Sequence, residues 1–154
     1  MLVGKRFSGL LIGLLLVWAV LASSMAAYYY FEYSSMKRLY ESLSNAVIIV
    51  NIGIDYGNGT IRWFNNSLFP AGSTVLSALT TLCKVEYTYG DYGAYIIAID
   101  GVKENIISKN EGYSWMWFLY NASSGRLDYG PVAADKYIIS NGDTILWRYV
   151  HWKF

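Results

Sequence analysis

The chain of 154 residues has one cysteine and one histidine. Cys83 alone can neither close an internal disulfide nor furnish a cysteine-rich zinc site, and a single His151 excludes a histidine-based metal cluster. Charge is sparse as well: Asp, Glu, Lys and Arg make up 15% of the residues and the formal net charge is +1. Four of the 12 Lys/Arg and two of the 11 Asp/Glu fall within residues 1–44, which leaves 8 cations against 9 anions in the remainder. That balance lacks the clustered positive face nucleic acid requires, so nucleic acid is not an expected partner. No phosphate loop, serine elbow or HExxH sequence is present. Without a candidate base, nucleophile or metal constellation, the chain is expected to be no enzyme and to carry neither cofactor nor metal. Cys83 reads as a buried structural thiol. The stretch "DYGNGT" from Asp55 to Thr60 offers oxygen ligands but reads as a hairpin turn rather than a calcium loop.

What is abundant is apolar, at 55% of the residues. Lys5 and Arg6 precede an uncharged run that extends from Phe7 to Phe31 and ends at Glu32. As a helix, residues 10–31 would span roughly 33 Å, enough for a bilayer core of about 30 Å. Tyr28, Tyr29, Tyr30 and Phe31 stand where an interfacial aromatic belt belongs. The expected organisation is a cytoplasmic N-terminus over 1–9, a transmembrane signal-anchor helix over 10–31, a juxtamembrane helical stalk over 32–44 and a domain over 45–154. Two other readings compete. Ser24-Met25-Ala26 passes as a signal-peptide cleavage site, although the apolar run continues well beyond it, which favours a retained anchor. A prepilin-type leader would be cut after Gly9. Lys5 and Arg6 are balanced by Lys37 and Arg38, so flanking charge leaves orientation open. Sequons at Asn58, Asn65 and Asn121 favour a single-pass protein with its C-terminal domain outside the cell membrane, and are candidate glycosylation sites.

Within 45–154, "NAVIIVNIGID" reads as a strand buried on both faces, turned by Asn58-Gly59 into "IRWFNNSLF". Pro70-Ala71-Gly72 breaks the pattern, and Ser73 or Thr74 can cap a helix through Cys83. "KVEYTYG", "GAYIIAIDGVKEN", the stretch Tyr113–Tyr120 and "GDTILWRYVHW" read as four further strands. The order β-β-α-β-β-β-β predicts an α+β class, with a β-grasp-like sheet packed on one helix.

The pieces "AGSTVLSAL", "YIIAIDGV", "GYSWMWFLYN" and "NGDTILWRY" occur in this order. Through them residues 46–152 resemble the transcobalamin C-terminal-like domain family, which contains many uncharacterised prokaryotic surface proteins. The resemblance implies a β-grasp-like fold. It also implies kinship with one half of a cobalamin clamp, whose other half is a helical barrel that nothing here resembles.

The tryptophan-rich stretch suggests where such a domain would work. In a strand, Tyr113, Trp115, Trp117 and Leu119 share one face, and Ser114, Met116, Phe118 and Tyr120 share the other. With the helix over the Trp115 and Trp117 face, Phe118 and Tyr120 are expected to line an open sheet face, with Tyr89, Tyr92, Tyr95 and Tyr129 as neighbours. These six are the candidate contact residues for a ligand or partner. The expected function is a membrane-anchored binding, adhesion or assembly module that contacts a surface protein or small ligand. The alternatives are a self-assembling pilin-like filament subunit and a corrinoid-type small-ligand carrier.

Overall fold

The computed structural model describes the backbone of residues 3–154 and the side chains of residues 11–154. Met1 and Leu2 of the 1–9 segment, and the side chains of Lys5 and Arg6, lie outside the described residues. The chain forms two compact units, residues 1–44 and 45–154.

The first unit is a helix. α1 (Val3–Ala46) runs 44 residues, about 66 Å at 1.5 Å per residue. By length and composition it is apolar enough to cross a membrane. Ser23 and Ser24 turn their hydroxyls back onto the carbonyls of Ala19 and Val20, so these polar groups are satisfied within the helix.

The second unit is built on a mixed sheet. β1 (Val47–Asp55) and β2 (Ile61–Pro70) form a hairpin, followed by α2 (Val75–Leu82). β3 (Val85–Gly90), β4 (Gly93–Ile99), β5 (Val102–Lys103) and β6 (Asn105–Ser108) come next. β7 (Glu111–Asn121), β8 (Arg126–Tyr129) and β9 (Thr144–Lys153) complete the chain. The main sheet has the order β2-β1-β9-β7-β6, with β8 also paired to β7. β3, β4 and β5 make a separate three-stranded sheet. The class is α+β as expected, but the single sheet inferred from strand order divides in two. The stretch "GAYIIAIDGVKEN", expected as one strand, is divided between β4, β5 and β6. Asp100 and Gly101 adopt positive φ of 48° and 85°, which reverses the chain so that Val102 and Lys103 pair back onto Ile99 and Ala98. β1 and β9 run parallel at the sheet's centre, Asn51 beside Thr144 through Asp55 beside Arg148.

α2 begins with the capping box that its sequence calls for. The Thr74 hydroxyl accepts from the Ser77 amide, and the Ser77 hydroxyl accepts from the Thr74 amide. Two more first-turn amides, Val75 and Leu76, donate to the carbonyls of Tyr137 and Ala134 in the loop before β9. That loop also buries Ala134 and Ile139. The core lies between α2 and one face of the main sheet. It joins Val75, Leu76, Ala78 and Leu79 of α2 with Ile48, Val50, Ile52 and Ile54 of β1. Trp115, Trp117, Ile145 and Trp147 from β7 and β9 complete it.

Candidate binding face

β7 alternates as a strand must, and its register fixes what each face meets. Trp115 and Trp117 enter the core beneath α2, where their indole N–H groups donate to the carbonyls of Val102 and Val132. The even-numbered residues face the other way. A row crosses five strands on that side: Trp63 pairs with Gly53, Gly53 with Leu146, Leu146 with Phe118, and Phe118 with Tyr129. Gly53 is required there. A Cβ at this position would lie 2.8 Å from Leu146 Cδ1 and 2.9 Å from the Trp63 ring, so the indole occupies the space that a side chain would need. The next row carries Asp55 beside Arg148 and Arg148 beside Met116. The Arg148 Nε donates to Asp55 Oδ2 at 2.8 Å, and the guanidinium sits 5.5 Å from the Phe118 ring centre.

This packing corrects one sequence expectation. Phe118 was expected to face solvent, yet it is 7% exposed. The Tyr129 ring at 4.5 Å and the Arg148 guanidinium enclose it, so Phe118 supports the face rather than presenting it. Leu146 beside it is also buried. Tyr120 and Tyr129 do remain exposed, at 46% and 64%. The sheet registers put further exposed apolar side chains on the same side: Val47 and Ile49 from β1, Ile61, Trp63 and Leu68 from β2, and Leu127 from β8. Among the described residues, the only charges carried on this face by the central strands β1 and β9 are the paired Asp55 and Arg148.

The β3–β4 hairpin does not deliver Tyr89 or Tyr92 to this face. Tyr89 packs edge-on against Tyr87, and Tyr92 stands at the turn, 89% exposed. Both belong to the separate sheet, because β3 and β4 pair with each other and with β5 rather than with β7. Tyr95 alone reaches β7, its hydroxyl donating to Glu104 and lying 3.5 Å from the Ser114 hydroxyl. Tyr92 and Tyr95 line a cleft of about 300 Å³ at the hairpin, while Tyr120 and Tyr129 border another of about 400 Å³ beside β8. The sequence had grouped as one site what the fold separates. Trp63 joins the face without having been among the expected contact residues; its alternation with Ile61 marks a strand face, but only the pairing with Gly53 shows which face.

Asn58, Asn65 and Asn121 are all exposed. Asn58 and Asn121 are engaged in turns: Asn58 Oδ1 accepts from the Thr60 amide, and Asn121 Oδ1 accepts from the Ser123 amide. Asp55 and Asn58 serve the hairpin at "DYGNGT", as expected of a turn. Among the described residues, no group of three His, Cys, Asp or Glu side chains is placed to hold a metal.

A polar cluster closes the α2 end of the core. Asp100 accepts from the Tyr56 hydroxyl at 2.7 Å and from the Lys84 amide at 3.0 Å, with Arg62 at 3.5 Å. Burial works to raise the Asp100 carboxyl, but these donors outweigh it and hold it below its ordinary value. Burial, with the Asp100 charge added, pushes the Cys83 thiol up to about 11 and the Tyr56 phenol up to about 12. A thiol so placed is a poor nucleophile at neutral pH. His151 is occupied elsewhere, 3.1 Å from Glu111 and 4.7 Å from the Tyr113 ring centre.

The family model for the domain of unknown function DUF4430 matches residues 72–151, just over half of the chain. No curated protein matches. Among solved structures, a protein of Ruminococcus gnavus provisionally named for metal binding superposes with a TM-score of 0.50 at 19% identity. That match covers 70% of this chain and 98% of the other. Haptocorrin, solved in complex with Cbi, superposes with a TM-score of 0.53 at 18% identity. It matches 69% of this chain but only 26% of its own length. At these identities the likeness is one of fold, and it accords with the transcobalamin C-terminal-like resemblance of the sequence.

Proposed function

Since the chain belongs to the DUF4430 family, we propose that it is a non-catalytic binding module, anchored in the membrane by α1, whose domain lies outside and works through the sheet face opposite α2. The observation that carries this reading is the concentration of exposed apolar side chains on that one face, with the charges of its central strands neutralised in a single pair. Isolated apolar residues are normal on a protein surface, but a contiguous patch marks an interaction site. Tyr129 packs against the buried Phe118 ring at 4.5 Å, which reduces the side-chain ordering that contact with a partner requires.

The test is a photo-reactive amino acid at Tyr129 or at Tyr92, irradiated in intact cells. Both positions are exposed, but only Tyr129 is on the face. Adducts at 129 and not at 92 are expected. Equal labelling at both positions, or none at 129, would count against the face.

The haptocorrin neighbour favours a second reading, in which the occupant is a small ring-bearing ligand. Titration of Cbi into the full chain in lipid nanodiscs tests it through tryptophan fluorescence. Saturable binding that Trp63→Ala weakens at least tenfold is expected on this reading, and an absence of binding removes it.

A further inference from the structure

We propose that the partner of this face is a second copy of the chain, the two faces meeting about a twofold axis. The proposal rests on the reading that this face is the working surface, and it names the occupant. Two features of the face argue for a copy of itself. The first is charge. In a twofold contact each patch meets its own image, so any net charge would oppose its like. The central strands contribute only Asp55 and Arg148, already joined at 2.8 Å, so the patch brings no net charge from its middle to meet its image. The second is area. The eight exposed apolar side chains assigned to the face are between 37% and 66% exposed. At roughly 200 Å² for a fully exposed large side chain, they offer on the order of 800 Å² per copy. Two such patches can bury up to about 1,600 Å², the size of a standard stable interface. The composition fits too: Trp63, Tyr120 and Tyr129 are the aromatic types that anchor interface centres.

The experiment measures the mass of the full chain in non-ionic detergent by analytical ultracentrifugation across a concentration series. Three chains are compared: wild type, Leu127→Glu/Tyr129→Glu and Tyr92→Glu. The double variant puts two carboxylates on each face, which would oppose their images. Tyr92→Glu adds a charge at an exposed turn away from it. The proposal expects a wild-type dimer, at least tenfold weaker association in the double variant with an unchanged circular dichroism spectrum, and no effect of Tyr92→Glu. Because the contact is apolar, raising the salt concentration should leave association unchanged. A monomeric wild type overturns the proposal. So does a dimer that the double variant leaves intact, which would place the contact elsewhere on the chain, and so does a dimer that salt dissociates. Photo-adducts from Tyr129 to a different molecule, found alongside a monomeric wild type, would leave the binding-module reading standing while removing this one.

Discussion

At the scale of single residues, the group that most rewards attention is the thiol of Cys83. It caps α2, its amide donating to the Leu79 carbonyl, and burial raises its proton affinity. Tyr56, held by Asp100, is shifted in the same direction. The sign of the consequence follows from linkage. A folded state that holds a proton more tightly than the unfolded chain is stabilised in full below the unfolded value, and loses that stabilisation as pH rises through the folded one. Cys83 therefore acts between its ordinary 9.0 and about 11, and Tyr56 between its ordinary 10.0 and about 12. The urea midpoint of the domain should be insensitive to these two groups below pH 9 and fall on the alkaline side. Cys83→Ser, which removes the first of the two ionisations, should delay the onset by about one pH unit. A midpoint that stays flat from pH 8 to 11 would show that neither group is linked to folding.

At the scale of elements, β7 carries the domain. It pairs with β6, β8 and β9 and sends Trp115 and Trp117 into the core. Gly130, just past β8, packs directly against its Trp117 ring. A Cβ at this glycine would fall 1.9 Å from Cε2 of Trp117, and the Gly130 amide donates to the Trp117 carbonyl. The indole and the backbone thus fill one another's space. Gly130→Ala should destabilise by about 1–3 kcal/mol, the usual cost of overpacking. Trp117→Ala should cost about 3–5 kcal/mol, the usual cost of truncating a large buried aromatic. If the clash with Trp117 is the cause, the two effects will not add, and Gly130→Ala will cost little in the Trp117→Ala background. Chemical denaturation of the two single variants and the double variant measures this, and simple additivity would refute the packing account.

At the scale of the whole molecule, the question is which side of the membrane carries the domain. α1 is long and apolar enough to cross, and the three sequon asparagines are exposed on the second unit. Protease added to intact cells should remove residues beyond α1. Protection in intact cells, with digestion only after lysis, would place the domain inside and remove the proposed function together with its face.

Local features were determined by the sequence itself. The membrane-length part of α1 follows from the apolar run Phe7–Phe31, the start of α2 from Thr74 and Ser77, and the β1–β2 turn from Asn58-Gly59, because each depends on residues close to one another in sequence. The alternation of β7 was equally legible, and with it the placement of Trp115 and Trp117 beneath the helix. Tertiary structure decided everything that depends on residues far apart. The parallel pairing of β1 with β9 joins positions about ninety residues apart, which no local pattern encodes. The division into two sheets turned on the reversal at Asp100 and Gly101, and it separated Tyr89 and Tyr92 from Tyr120. Phe118 and Tyr120 are alike by alternation, two positions apart on one face of one strand. Phe118 is buried because Arg148 and Tyr129 close over it, whereas Tyr120, near the end of its strand, stays nearly half exposed. Periodicity assigns a side chain to a face; whether that face is wet depends on what other strands bring to it.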